Sequence, residues 1–177
     1  MNVVIIGLGY VGLPLAQEAA RVGLNVTGLD VKQAAVDGLN RGRSHVDDLT
    51  DDDIAAMLAQ GFRATADPAD CRDPDVIVIC VPTPLSESDG PDLTAVRAAT
   101  RTAGGLLKPG STVVLESTTY PGTTDEVVRP LLEKASGLTA GIDFNLAFSP
   151  ERIDPGNPVY GVRNTPKVVG GVTPACT

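Results

Sequence analysis

Tryptophan is absent and aromatics make up only 3% of the chain. That excludes a core of stacked rings and leaves Val, Ile, Leu and Ala to fill it, as they do in buried parallel sheets. Positive charge is also scarce: 14 Lys and Arg stand against 22 Asp and Glu, for a formal net charge of -8. Adhesion to nucleic acid or to an anionic membrane needs clustered cations, so neither is an expected partner. The three cysteines, Cys71, Cys80 and Cys176, have no metal-ligand spacing, and their odd number argues against a disulfide framework, so a reducing cytoplasm is expected and no metal. No run of about 18 apolar residues is present to span a bilayer. Glycines at 7, 9 and 12 interrupt the apolar start and no basic segment precedes it, so it does not read as a signal peptide. The single histidine, His45, lies in a polar stretch and is expected at the surface.

What is present is alternation. With 177 residues, 42% of them hydrophobic, one compact domain is expected. Val3 to Ile6 reads as a buried strand, followed by a helix from about Tyr10 to Val22 and a second strand from Asn25 to Leu29. Helices are expected from Lys32 to Leu39 and from Asp51–Asp53, acting as its cap, to Gln60. Strands follow at Gly61 to Thr65, Val76 to Val81 and Ser111 to Leu115. After Asp89 and Gly90, Pro91 and Asp92 open a helix that runs to about Leu106. Another helix spans Gly122 to Lys134, kinked or split at Pro130. Phe144 to Phe148 and Val168–Val169 complete the strands. This order predicts an α/β fold of the Rossmann type, a doubly wound, mostly parallel sheet with helices on both faces. Thr173-Pro174 announces a helix cap three residues before the end, so Thr177 is expected to be an artificial or proteolytic end.

Gly7-Leu8-Gly9-Tyr10-Val11-Gly12 matches the dinucleotide fingerprint in its required place between strand and helix. Gly7 permits the tight turn, Gly9 admits the pyrophosphate, and Gly12 lets helix and strand pack. Amides near Tyr10 and Val11 would face the phosphates at the positive end of the helix. Asp30 ends the second strand at the distance where a carboxylate accepts both ribose hydroxyls and repels a 2'-phosphate, which favours NAD over NADP.

Three further segments sit after strands. Cys80-Val81-Pro82-Thr83-Pro84 is a stiff turn that offers the Thr83 hydroxyl to a cofactor, or is a rigid turn with no ligand. Glu116 to Gly122 carries the hydroxyls of Ser117, Thr118 and Thr119, which could orient a water or an alcohol, or be ordinary helix caps. Ser149 to Gly156 holds Glu151, an acid or base, beside Arg152, an anion binder; a surface ion pair is the alternative. Cys80 reads as a buried small hydrophobe.

Taken together, Gly7–Gly12, Asp30, Val81–Pro84, Glu116–Thr124, Phe148–Gly156 and Lys167–Pro174 resemble the UDP-glucose and GDP-mannose dehydrogenase family, most closely its UDP-N-acetylhexosamine branch. The resemblance implies oxidation of the sugar's primary alcohol to a carboxylate by two hydride transfers, with a thiohemiacetal intermediate and two NAD per sugar. It assigns Thr118 to a catalytic water and the cofactor, Glu151 to acid-base steps, Asp30 and Thr83 to cofactor contacts, and Arg152 to the substrate-facing loop. Two positions depart from the family: Ala35 stands where a cofactor-binding lysine is frequent, so that role is either missing here or filled by Lys32, and Pro155 replaces a second glutamate. The family's nucleophilic cysteine, catalytic lysine and asparagine, dimer-forming helix and most of its uridine site are expected beyond Thr177. The full-length protein is expected to be a cytoplasmic homodimer, and this chain alone to bind NAD without turning over a UDP-sugar. Two other readings stay open here: an NAD dehydrogenase of the hydroxyacid or 6-phosphogluconate type, and a stand-alone NAD-sensing module.

Overall fold

A computed structural model describes residues 1–85, 90–152, 157 and 159–177. Asp89, and residues 153–156 with Pro155, lie outside the described residues. In chain order the elements are β1 (Asn2–Ile6), α1 (Gly12–Arg21), β2 (Asn25–Leu29), α2 (Gln33–Asn40), α3 (Asp51–Ala59) and β3 (Arg63–Thr65). A 3₁₀ turn at Pro68–Asp70 leads to β4 (Val76–Ile79), α4 (Thr94–Leu106) and β5 (Thr112–Leu115). A π-helical segment, Thr124–Val128, runs into α5 (Arg129–Ser136), then β6 (Asn145–Phe148) and β7 (Gly170–Gly171).

Among the described residues the strands form one sheet in the order β3-β2-β1-β4-β5-β6-β7, parallel except for β7, which runs antiparallel to β6. The doubly wound, mostly parallel sheet expected from the alternation is present. The chain leaves β1 on the β2 side and later crosses to β4 on the other side. That reversal opens a crevice beyond the carboxyl ends of β1 and β4, where such sheets bind ligands.

Side chains alternate along a strand, so β1 and β4 each feed two cores. Val3, Ile5, Val78 and Cys80 pack with Leu13 and Ala16 of α1, Leu39 of α2 and Met57 of α3. Val4, Ile6, Ile77 and Ile79 pack with Val96 and Ala103 of α4 and Leu132 of α5. Burial on both faces is why these strands read as unbroken apolar runs.

Several boundaries move for local reasons. α1 begins at Gly12, not Tyr10, because residues 7–11 form the turn, with the Leu13 amide already bonded to the Gly9 carbonyl. The cap of α3 is Thr50, not the Asp51–Asp53 run: Thr50 Oγ1 accepts from the Asp53 amide and Asp53 returns the bond to the Thr50 amide. α4 begins at Thr94, whose amide donates to the Asp92 carboxylate, so Asp92 stands just outside the helix that it was expected to open. Pro130 falls in the first turn of α5, immediately after the widened π segment, so the expected split is seen. The last strand lies at Gly170–Gly171 instead of Val168–Val169; both valines are at least half exposed, and pairing starts only where the backbone reaches Phe148 and Ala147. Thr173 does cap a turn, accepting at Oγ1 from the Cys176 amide.

Candidate functional site

The glycine turn closes by contact between main chains. A Cβ on Gly12 would stand 1.9 Å from the Gly7 carbonyl oxygen, so no side chain fits there. At Gly9 nothing lies within 4 Å of that position, and the residue borders an open cleft. Asp30 ties this turn to the end of β2: Oδ2 accepts from the Leu8 amide at 2.8 Å and Oδ1 from the Lys32 amide at 2.9 Å. An ionised carboxylate has about four acceptor sites, so capacity for two ribose hydroxyls remains.

His45 is exposed as expected, yet it is not remote from the site. Its Nε2 donates to the Leu8 carbonyl at 2.8 Å, folding the polar 41–49 loop back against the glycine turn. Tyr10 points the same way, its hydroxyl 3.5 Å from the Asp47 carboxylate.

Across the crevice, loops after β4 and β5 are tied together. Ser117 Oγ donates to the Val81 carbonyl at 2.7 Å and Thr83 Oγ1 to the Thr118 carbonyl at 2.6 Å. The Thr83 proton is thus committed, and its oxygen remains an acceptor. Cys80 is buried, and burial pushes its thiol up to about 12, so it packs as a neutral hydrophobe.

The far end of the cleft assembles charges from three segments. Glu116, 4% exposed, receives the Lys167 ammonium, which also lies 3.6 Å from Glu151 Oε2. Glu151 Oε1 accepts from the Arg152 amide at 2.6 Å, while the Arg152 guanidinium donates to the Pro166 carbonyl at 3.1 Å. Partial burial pulls the Lys167 ammonium below the ordinary lysine range.

One cleft of about 800 Å³ joins the two ends, bordered by Gly9, Asp30 and Lys32 on one side and Thr83, Thr118 and Glu151 on the other. Gly7 and Val11 also border it. Tyr10, Gly12 and Arg152 do not line it; Gly12 acts through packing and Arg152 anchors the returning chain. The Glu116–Lys167 pair could not be read from the sequence, since partners 51 residues apart share no periodic signal. A charged residue before the apolar Val168–Val169 pair was the one available hint. Among the described residues no helix is long and apolar enough to cross a membrane.

A glycine turn after the first strand, an acid after the second and a shared cleft at the carboxyl edge define a dinucleotide-binding domain of the dehydrogenase type. The chain belongs to the UDP-glucose/GDP-mannose dehydrogenase family, whose NAD binding domain matches residues 1–177. It is 40% identical over 175 residues to a UDP-N-acetyl-D-glucosamine 6-dehydrogenase from Pseudomonas aeruginosa, covering 98% of this chain and 40% of that one. The solved UDP-D-ManNAc dehydrogenase of Pyrococcus horikoshii superimposes with a TM-score of 0.91 at 36% identity, over 99% of this chain and 42% of that one. The UDP-N-acetyl-mannosamine dehydrogenase Cap5O of Staphylococcus aureus gives 0.90 at 32% identity, over 99% and 42%. The chain therefore spans about 40% of the length of these relatives.

Proposed function

We propose that this chain is the cofactor half of a UDP-N-acetylhexosamine 6-dehydrogenase, which oxidises the sugar's primary alcohol to a carboxylate in two two-electron steps with two NAD per sugar. The observation that carries the reading is the single cleft running from Asp30 to Thr118 and Glu151, in a chain 40% identical to a protein named for that reaction.

The residues present fit the cofactor. Gly9 leaves open the space that a Cβ would enter, where phosphates can approach the first amides of α1, which lack intrahelical partners. Asp30, already fixed by two amides, accepts from the ribose hydroxyls and repels a 2'-phosphate. When bound, the oxidised nicotinamide supplies the electron acceptor. Thr83 and Thr118 contact that half of the cofactor, and Thr118 also holds a water. Glu151 takes the proton of the sugar hydroxyl through that water, and Arg152 serves the substrate side as an anion binder. The nucleophilic cysteine, catalytic lysine and asparagine, the uridine site and a dimer-forming helix come from sequence outside this chain. The whole enzyme works as a homodimer in the cytoplasm.

The test is NADH formation by a protein that carries this chain, supplied with UDP-N-acetylglucosamine, UDP-N-acetylmannosamine or UDP-glucose. Two NADH per N-acetylhexosamine are expected, and none from the 177-residue chain alone. A protein that binds NAD but oxidises none of the three sugars would sink the substrate assignment.

A further inference from the structure

Gly9 meets two demands that conflict. Its missing Cβ leaves the cleft open to a diphosphate, yet a glycine also permits either orientation of the peptide that precedes it. The Leu8–Gly9 peptide is therefore the joint at which the turn could flip and misdirect the amides that follow. Side chains from two other segments hold Leu8. Asp30 accepts from its amide at 2.8 Å, and His45 Nε2 donates to its carbonyl at 2.8 Å; a carbonyl only accepts, so Nε2 carries the proton. The amide belongs to the peptide plane before Leu8 and the carbonyl to the plane after it, so Asp30 restrains the first plane and His45 the second.

The loop that presents His45 is itself fixed. The Ser44 amide donates to the Asp51 carboxylate at the start of α3 at 2.8 Å, and Ser44 Oγ donates to the Val46 carbonyl at 2.9 Å. Val46 and Leu49 are buried in the same core as the Leu8 side chain. On a free loop one hydrogen bond would not offset the entropy of ordering the residues that make it, but here the core has already ordered them. Residues 41–49 do not line the cleft, so His45 acts on the turn without touching what the cleft binds.

We propose that His45 is a positioning residue of the cofactor site, a clamp that locks the Leu8–Gly9 peptide in the orientation that presents the glycine turn to the diphosphate. The clamp rests on the proposed function, in which the diphosphate lies at this turn. Without it the turn divides its time between two peptide orientations, and the apparent affinity for a diphosphate falls with the fraction that remains competent.

The experiment is titration of the 177-residue chain, followed by NMR, with ADP-ribose, which keeps the diphosphate, and with adenosine, which has the base and one ribose alone. His45→Ala should weaken ADP-ribose about fivefold while adenosine stays within about twofold of the unaltered chain. His45→Gln, whose side-chain amide offers a donor at similar reach, should recover most of the loss. His45 is exposed, so neither substitution opens a cavity. A merely structural contact would weaken both ligands alike. ADP-ribose affinity unmoved by His45→Ala, equal losses for the two ligands, or a glutamine variant no better than the alanine one overturns the clamp. If the unaltered chain binds ADP-ribose no more tightly than adenosine, the turn holds no diphosphate, and the cofactor placement falls together with the clamp.

Discussion

The two ends of the cleft are built by different means. At the Asp30 end, the Asp30 carboxylate meets the Leu8 amide 22 residues earlier in the chain, and the glycine turn closes on its own backbone. At the opposite end, Lys167 meets Glu116 across 51 residues, and what joins them is charge. One strand-turn-helix unit specifies the first arrangement, whereas the second exists only once β5, the loop after β6 and the segment before β7 have converged. The Asp30 end should therefore be rigid and sensitive to shape, and the charged end tolerant of shape and sensitive to charge.

That contrast can be broken most severely at Gly12. Gly12→Val would drive a side chain into the Gly7 carbonyl, 1.9 Å from where its Cβ must stand. A loss of about 3 kcal/mol in urea unfolding is expected, with NAD binding abolished.

At the other end the largest effect should come from charge removal. Lys167→Met leaves the buried Glu116 beside Glu151 without its cation, and about 2 kcal/mol should be lost, less than for a fully buried pair because the Lys167 side chain is 29% exposed. Lys167→Arg should retain most of that stability. Equal losses for Met and Arg would mean that shape, not charge, governs this end as well.

The smallest effect sharpens the comparison from behind the glycine turn. Asp53 accepts from Gln17 of α1 at 2.9 Å and from the Thr50 hydroxyl at 2.6 Å. The Thr50 hydroxyl is the main cause that holds the Asp53 carboxyl below its usual range. Thr50→Ala should cost about 1 kcal/mol at neutral pH. A depressed carboxylate contributes its stability fully above the unfolded value, about 3.9, and loses it as pH falls through the lower folded value. The gap between the two proteins in thermal unfolding should thus narrow in acid, and a gap constant down to about pH 2 would contradict the assignment of Asp53.

Legibility follows the same division. The turn at Gly7–Gly12, the acid at Asp30 and the parallel sheet could be read because backbone geometry admits few residue types at those positions. Val168–Val169 looked like a strand because two adjacent valines satisfy the strand pattern, but alignment with Phe148 moved the pairing to Gly170–Gly171. His45 was legible as a surface residue but not as a neighbour of the glycine turn, because sequence distance says nothing about a loop that folds back onto the Leu8 carbonyl. Glu151 was found as a titratable residue in a polar loop, while Lys167, which approaches it, stayed hidden inside a longer segment.

The central claim, that this cleft binds NAD with Asp30 on its ribose, is tested most directly by calorimetric titration of the chain with NAD and NADP, repeated for Asp30→Ala. NAD should bind, NADP should bind at least about tenfold more weakly, and the substitution should weaken NAD while narrowing the difference between the two. Equal binding of both cofactors, unchanged by Asp30→Ala, would contradict the account.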